Sequence, residues 1–248
     1  EKHISGKSSP LSGQKTLPKR RKKTESICYK RSIIATNQPI IWESIYGKEA
    51  AMRYKSIVFD FGNVIGKFDG RYILHQFCAN DQDYEILSSV IFTNWHELDK
   101  GTIDYDENAQ RAVSLVPDRL KAATQDFFRK WPKYVQPLED TLCFIDALYE
   151  QDIPMYLLSN APTYFAEQAA RYDVLKKFRG IVFSAPLKMA KPDPAIYRYL
   201  FETFSLNPRE CFFIDDLEEN IEIGRSLGMD GLVFTGDIDK VKAAVGMP

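Results

Sequence analysis

Aspartates and a lysine follow short apolar runs at widely separated places in this chain. Asp60 directly follows one run, Asp215 and Asp216 end another, and Lys191 opens a Lys-Pro-Asp-Pro segment after a third. Carboxylates that converge beside a lysine repel one another unless a cation lies among them. Oxygen ligands of this kind suit Mg²⁺, which also binds substrate phosphates. We therefore predict a magnesium site that acts on a phosphorylated substrate.

A further apolar run ends in groups that can bind the phosphate itself. Ser159 and Asn160 follow Leu158 and carry a hydroxyl and an amide. Together with Lys191 and nearby backbone N–H groups, they could hold phosphate oxygens. An aspartate such as Asp60 can act in such a site as a covalent nucleophile, forming an aspartyl-phosphate.

The elements that position these residues alternate along the chain. Short apolar runs begin at Ile57, Met155, Ile181, Cys211 and Leu232. Such runs are typical of strands buried on both faces of a parallel sheet. Helical patterns cover residues 138–151, 163–175, 194–204 and 217–227. This alternation predicts an α/β fold with a doubly wound parallel sheet, where ligands bind beyond the carboxyl ends of the strands.

Residues 68–137 interrupt the alternation, with helical periodicity and several aromatic residues but no strand run. We predict that they form an all-helical cap, inserted after the first strand and placed over the strand ends. The core would then comprise residues 52–67 and 138–248. Ordinary packing helices are the alternative for the inserted segment.

Residues 1–51 differ from the rest in composition. They hold 11 of the 33 Lys and Arg residues but only 4 of the 34 Asp and Glu residues. The basic run 18–23 could be a nuclear-localisation or nucleic-acid-binding arm. High charge and low apolar content favour instead a disordered or non-native basic tail. Met52 is the first methionine, and we expect the functional protein to begin there.

The remaining residues are acidic, which argues against a nucleic-acid partner. No apolar run approaches the roughly 20 residues that a membrane span needs, and we find no secretory signal. The four cysteines lack metal-ligand spacing. We expect a cytoplasmic protein, monomeric or homodimeric, whose partner is a small phosphorylated metabolite rather than a membrane.

Four motifs together resemble those of the haloacid dehalogenase-like (HAD) hydrolases, in the order typical of that family. They are Asp60–Ile65, Leu158–Asn160, Lys191–Pro194 and Phe213–Asn220, and the resemblance covers about residues 54–245. Within the family, the chain resembles the branch that contains bacterial α-glucose-1-phosphatase and the N-terminal phosphatase domain of soluble epoxide hydrolases. Trp95–Leu98, together with Gly101–Ile103, is similar to the helical cap of that branch. The resemblance implies a Rossmann-like core.

The resemblance also implies a role for each acidic residue. Asp60 would be the nucleophile and a metal ligand, Gly62 would offer its backbone carbonyl to the metal, and Asp216 would be the main further carboxylate ligand. Asp215 would ligate through water or position the site. Asn220, in the following helix, would support the metal site through hydrogen bonds.

The phosphate ligands and the reaction follow from the same resemblance. Ser159 and Asn160 would bind the transferring phosphoryl group, while Lys191 would neutralise its charge and that of Asp60. The implied function is that of a Mg²⁺-dependent phosphatase acting on a small phosphorylated metabolite, for which we favour a sugar phosphate. The intermediate would be an aspartyl-phosphate.

The chain departs from the family pattern in two places. Just upstream of Lys191, relatives usually have an acidic residue where Pro186 stands and a glycine where Lys188 stands. The other departure concerns the general acid and base. Most HAD phosphatases carry a second aspartate two residues after the nucleophile as general acid and base, where this chain has Gly62. A cap residue or water could replace it, the substrate could have a good leaving group, or the enzyme could be slow. His75 and His96 lie in the predicted cap and are candidate donors, although ordinary packing roles are more common for histidine.

Two further functions stay open. One is a haloacid dehalogenase-type hydrolase that attacks carbon, although a metal-free reaction does not need the pair Asp215 and Asp216. The other is a catalytically weak, phosphate-binding regulatory domain, which the glycine at position 62 would suit.

Overall fold

The computed structural model describes residues 52–247, so the predictions for residues 1–51 lie outside the described residues. Five parallel strands form the main sheet, in the order β5-β4-β1-β6-β7. Two short strands, β2 and β3, pair antiparallel beside it. The strands are β1 (Ser56–Phe59), β2 (Gly66–Lys67), β3 (Gln136–Pro137), β4 (Met155–Ser159), β5 (Gly180–Phe183), β6 (Cys211–Asp215) and β7 (Asp230–Val233).

Helices connect the strands of the main sheet and also fill the segment between β2 and β3. That segment holds α1 (Gly70–His75), α2 (Asp81–Ile91), α3 (Trp95–Lys100), α4 (Tyr105–Leu115) and α5 (Asp118–Lys130). The others are α6 (Glu139–Glu150), α7 (Thr163–Gln168), α8 (Ser184–Leu187), α9 (Pro194–Thr203), α10 (Glu218–Ser226) and α11 (Ile238–Val245).

Apolar side chains of β1 point alternately to the two faces of the sheet, as the pleat requires. Ile57 and Phe59 pack in one core cluster with Phe144 of α6. Val58, between them, packs in the opposite cluster with Leu200 of α9. Both faces are therefore covered by helices, and the prediction of a doubly wound parallel sheet is confirmed.

The sequence placed the helix after β4 correctly at its start but not at its end. The helix predicted over 163–175 stops at Gln168 and continues as two 3₁₀ segments. Tyr172 lies between these segments in an extended conformation. Its ring packs edge-on against Phe61, and its hydroxyl donates a 2.9 Å hydrogen bond to the Pro132 carbonyl oxygen. These tertiary contacts override the helical periodicity.

The helices α1–α5 occupy the segment that the sequence predicts to be all helical, while its division into a separate domain stays a prediction. The β2–β3 pair was not predicted. It joins the two ends of the segment by pairing Gly66 with Pro137 and Lys67 with Gln136. Over residues 52–247, helices long and apolar enough to span a membrane are absent.

Candidate active site

The carboxyl ends of three neighbouring strands bring the predicted residues together. Asp60 directly follows β1, Ser159 ends β4 and Asp215 ends β6, and both β4 and β6 pair with β1. A cavity of about 370 Å³ opens at this edge of the sheet. Seven predicted site residues line it, namely Asp60, Gly62, Ser159, Asn160, Lys191, Asp216 and Asn220. Asp215, the remaining one, is fully buried beside Lys191.

Lys191 joins two of the aspartates. Its Nζ lies 2.9 Å from Oδ1 of Asp60 and 2.6 Å from Oδ2 of Asp215. Burial alone would lower the pKa of Lys191, but the two carboxylates outweigh it and raise that pKa. The lysine therefore stays charged, because neutralising it would leave two carboxylates facing each other in a buried site.

Asp60 combines a buried position with ionisation at neutral pH. Burial raises the pKa of its carboxyl to about 6, an effect that Lys191 opposes and Asp215 increases. Its backbone N–H donates to the Ile214 carbonyl oxygen at 2.9 Å, which ties the residue to the end of β6. Above pH 6 the group is an anion available for nucleophilic attack.

Asn160 fixes the backbone that carries Lys191. Its side-chain Nδ2 donates to the Lys191 carbonyl oxygen at 2.8 Å, and its Oδ1 accepts from the Lys191 N–H at 2.9 Å. The reciprocal pair connects the end of β4 to the loop before α9. Both polar groups of the amide are thereby engaged, although the residue also lines the cavity.

Three carboxyl groups lie close enough to share a cation. Asp60, Asp215 and Asp216 can each present an oxygen within 4.8 Å of the others. Asp216 is only partly buried, and its Oδ2 accepts a 2.9 Å hydrogen bond from Nδ2 of Asn63. Oxygen ligands in this number and charge fit Mg²⁺, which retains several waters of its own.

Asp215 is committed to other contacts. Besides Lys191, it accepts hydrogen bonds at 2.9 Å from the Leu217 N–H and from Nδ2 of Asn220, both to Oδ1. The Asn220 carbonyl oxygen in turn accepts from the Tyr197 hydroxyl at 2.9 Å. The buried set holds the start of α10 against the sheet. Asp60 and Asp216 are therefore the freer carboxylates for a metal.

Aromatic rings also line the cavity. Phe68, Trp95 and Trp131 line it, with ring centroids 5.2 to 5.6 Å apart. Of the two histidines proposed as donors, His96 lines the cavity, whereas His75 stacks on the Tyr84 ring at 4.7 Å, away from the lining.

Two residues of the site were missed by the sequence reasoning. Asn63 holds Asp216 from a left-handed backbone conformation (φ 54°), and its Oδ1 accepts from the Phe68 N–H. Asp99 of α3 lines the cavity. Burial raises the pKa of Asp99 to about 7, with the Asp60 charge adding to the rise and Lys191 opposing it. The sequence signal that could have identified Asp99 is its acidic side chain within residues 95–103, the part of the chain that resembles the cap of related enzymes.

Comparisons with known proteins agree with the motifs. Residues 54–228 match the family model of the haloacid dehalogenase-like hydrolases. A sesquiterpene phosphatase of Aspergillus oryzae is 25% identical over 190 residues, which cover 75% of this chain and 92% of that protein. A D-ribitol-5-phosphate phosphatase of Bacteroides thetaiotaomicron is 26% identical over 190 residues, covering 71% and 89%.

The fold has solved counterparts as well. The crystal structure of a HAD family enzyme from Bacteroides thetaiotaomicron, in complex with magnesium and inorganic phosphate, superposes with a TM-score of 0.58. It is 24% identical, and the match covers 76% of this chain and 98% of that one. At this identity the likeness shows the fold, which agrees with the fold predicted from the sequence.

Proposed function

This chain belongs to the haloacid dehalogenase-like hydrolase family, and we propose that it is a Mg²⁺-dependent phosphatase that hydrolyses a small phosphorylated metabolite. The observation that carries the proposal is the convergence of Asp60, Lys191 and Asp216 on one cavity at the strand ends. A nucleophile, a buried cation and a metal-ligating carboxylate are the groups that phosphoryl transfer to an aspartate requires.

In the proposed reaction, an oxygen of Asp60 attacks phosphorus and the substrate alcohol leaves. Water then attacks the aspartyl-phosphate and releases phosphate. Lys191 and Ser159 would hold the phosphoryl oxygens, while Asn160 fixes the Lys191 loop and borders the same oxygens. Mg²⁺ held by Asp60, the Gly62 carbonyl and Asp216 would supply further positive charge to these oxygens. Uncatalysed phosphate-monoester hydrolysis is extremely slow, so such preorganised charge must supply most of the rate enhancement.

For the substrate we propose a sugar or polyol phosphate, the class to which the ribitol-5-phosphate of the bacterial relative belongs. A second class is favoured by the ring cluster of Phe68, Trp95 and Trp131, since three aromatic faces suit an apolar alcohol better than a polyol. The fungal relative is named as a sesquiterpene phosphatase, and a sesquiterpene is an apolar group of this second class.

The two other functions considered receive less support. Attack on carbon by a metal-free dehalogenase gives no use to the partly buried carboxylate of Asp216 beside Asp60. A degenerate regulatory site would not need Lys191 to stay buried with its charge. On sequence grounds we further propose a cytoplasmic monomer or homodimer, with a core of residues 52–67 and 138–248 and a helical cap of residues 68–137.

The test is turnover of a set of phosphate monoesters, from sugar and polyol phosphates to prenyl and aryl phosphates, with and without Mg²⁺. We expect Mg²⁺-dependent phosphate release that Asp60→Asn abolishes. Glu222→Gln, an exposed change on α10, is the matched control and should retain activity. Full activity of Asp60→Asn, or chloride release from a 2-haloacid without Mg²⁺, would contradict the proposal.

A further inference from the structure

The position of Asp99 on α3 points to this carboxyl as the general acid and base that Gly62 does not provide. The inference rests on the proposed phosphatase function. It assigns to a residue between β2 and β3 the proton transfer that most members of the family perform with an aspartate two residues after the nucleophile.

Two contacts fix Asp99 relative to the nucleophile. The Ser184 hydroxyl donates to the Asp99 carbonyl oxygen and accepts a 2.9 Å hydrogen bond from the Ala161 N–H, two residues after Ser159. The second contact is made two residues later, where Gly101 lies against Ala185 with no space for a side chain. The helix end that carries Asp99 is thus held by the same strand ends that carry the site.

The carboxyl of Asp99 is free to act. Among the described residues it has neither an ion-pair partner nor a side-chain hydrogen bond, and it is mostly shielded from solvent while lining the cavity. The titratable groups that line the same cavity are His96 on its own helix, together with Asp60, Lys191, Asp216 and Glu219. Burial and the nearby Asp60 charge raise the pKa of Asp99 to about 7, although Lys191 opposes the rise. A value near neutrality suits a group that must donate a proton and then accept one.

The proton transfers balance over the two half-reactions. When Asp60 attacks phosphorus, the P–O bond to the substrate alcohol breaks and the leaving oxygen takes the proton of Asp99, giving the free alcohol and the Asp99 carboxylate. In the second half, that carboxylate takes a proton from water as the water oxygen bonds to phosphorus. The P–O bond to Asp60 then breaks, which restores both aspartates to their starting forms.

His96 and Glu219 are the competing candidates, since both line the cavity. Both are exposed to solvent, whereas Asp99 is not. A donor that water reaches freely gives up the advantage of a fixed position beside the leaving oxygen. Asp99 is therefore the best-placed carboxyl for the step.

The experiment measures the reaction of Asp99→Asn with two esters. The first is an alkyl phosphate, whose alkoxide must be protonated to leave. The second is an aryl phosphate, whose phenolate leaves without a proton. In single-turnover measurements of the first half-reaction, we expect about a 10²–10⁴-fold loss of the phosphoryl-transfer rate from the alkyl ester and little loss of that rate from the aryl ester. Steady-state kcat is not the readout, because hydrolysis of the aspartyl-phosphate is common to both esters and also uses Asp99. A residue with only a structural role would lower both rates equally. His96→Gln is the comparison variant and should leave the ratio of the two rates unchanged.

A rescue variant makes the test sharper. A Cβ at position 62 would meet Asp60 Oδ2 at 3.7 Å, an ordinary van der Waals distance, so a side chain can start there without a clash. Gly62→Asp in the Asp99→Asn background should restore at least tenfold of the lost alkyl-ester activity. An equal loss on both esters, no loss at all, or a selective loss in His96→Gln overturns the inference and leaves the phosphatase function standing. A wild-type protein inert towards both esters overturns the proposed function, and the inference with it.

Discussion

Gly101 approaches Ala185 so closely that a Cβ at position 101 would lie 2.1 Å from the Ala185 carbonyl oxygen. The glycine also has a left-handed backbone (φ 71°) and ends α3. Its missing side chain therefore sets how near α3 comes to α8, and with it the position of Asp99 over the strand ends.

Gly101→Ala should displace α3 and lower both stability and activity. Backbone strain and the clash together should cost about 2–4 kcal/mol of unfolding free energy, measured by urea denaturation. Gly236→Ala is the matched control, because Gly236 is also left-handed (φ 88°), but no atom of residues 52–247 lies within 4 Å of a Cβ placed there. It should cost about 1 kcal/mol from backbone strain alone. Equal costs for the two variants would show that the Gly101 contact has no effect.

Lys191→Met should destabilise the protein in a pH-dependent way. Removing the ammonium leaves Asp60 and Asp215 buried without their cation, a change that costs about 3–5 kcal/mol. The pKa of the Asp60 carboxyl in the folded variant then rises further, because Lys191 no longer opposes the effect of burial. The stability of the variant therefore falls as pH rises, and the deficit is larger at pH 8 than at pH 5. Lys188→Met, an exposed lysine nearby, should change stability by less than about 0.5 kcal/mol. A deficit that does not vary with pH would contradict the pairing.

The strands could be predicted from the sequence because each is a short apolar run buried on both faces of the sheet. The site could be predicted because the carboxyl ends of parallel strands lie at the same edge of the sheet. Local pattern alone does not show the contacts of Asp99, since they depend on Ser184 and Ala185, more than 80 residues away. The end of α7 escaped prediction for a similar reason, because Tyr172 is held by Phe61 and Pro132.

Asn160 illustrates the same limit within the site. Its residue type and its place at a strand end predict a phosphate ligand. Asn160 lines the cavity, and that position is compatible with this role. Only the folded chain brings the Lys191 backbone to its amide. A contact between residues 31 positions apart cannot be inferred from either local sequence.

Mg²⁺ should stabilise the folded protein through Asp60 and Asp216. A metal that binds the native state at 100 times its dissociation constant adds about 2.7 kcal/mol, which thermal unfolding with Mg²⁺ or with EDTA will detect as a shift of Tm. Asp216→Asn should abolish most of this shift, whereas Glu222→Gln, an exposed change on α10, should keep it. A shift of equal size in Asp216→Asn would place the metal elsewhere.

Asp99 should make stability depend on pH even without metal. Its folded pKa is raised to about 7 from 3.8, so the folded state holds its proton more tightly and loses stability as pH rises from about 4 to 7. Asp99→Asn removes this loss. In EDTA, the variant should match wild type near pH 4 and exceed its unfolding free energy at pH 8 by on the order of 4 kcal/mol, since the rise of the Asp99 pKa spans roughly three pH units. A variant less stable than wild type at pH 8 would mean that the ionised carboxylate has a favourable partner.

Trp95 should decide how well the cavity accepts an apolar substrate group. Its ring packs against Phe68 and Trp131 on the cavity wall, so Trp95→Leu removes an aromatic face while leaving the phosphate ligands in place. We expect kcat/KM to fall about tenfold for prenyl or aryl phosphates and much less for a polyol phosphate.

The control for Trp95→Leu is Phe77→Leu. Phe77 packs in the same aromatic cluster, 5.4 Å from the Phe127 ring, but does not line the cavity. Phe77→Leu should lower stability without changing the order of substrate preference. If Trp95→Leu instead lowers kcat/KM equally for prenyl, aryl and polyol phosphates, then the ring only supports the fold and the substrate group lies elsewhere in the cavity. Inhibition by inorganic phosphate, which touches only the phosphate ligands, should be unchanged in both variants.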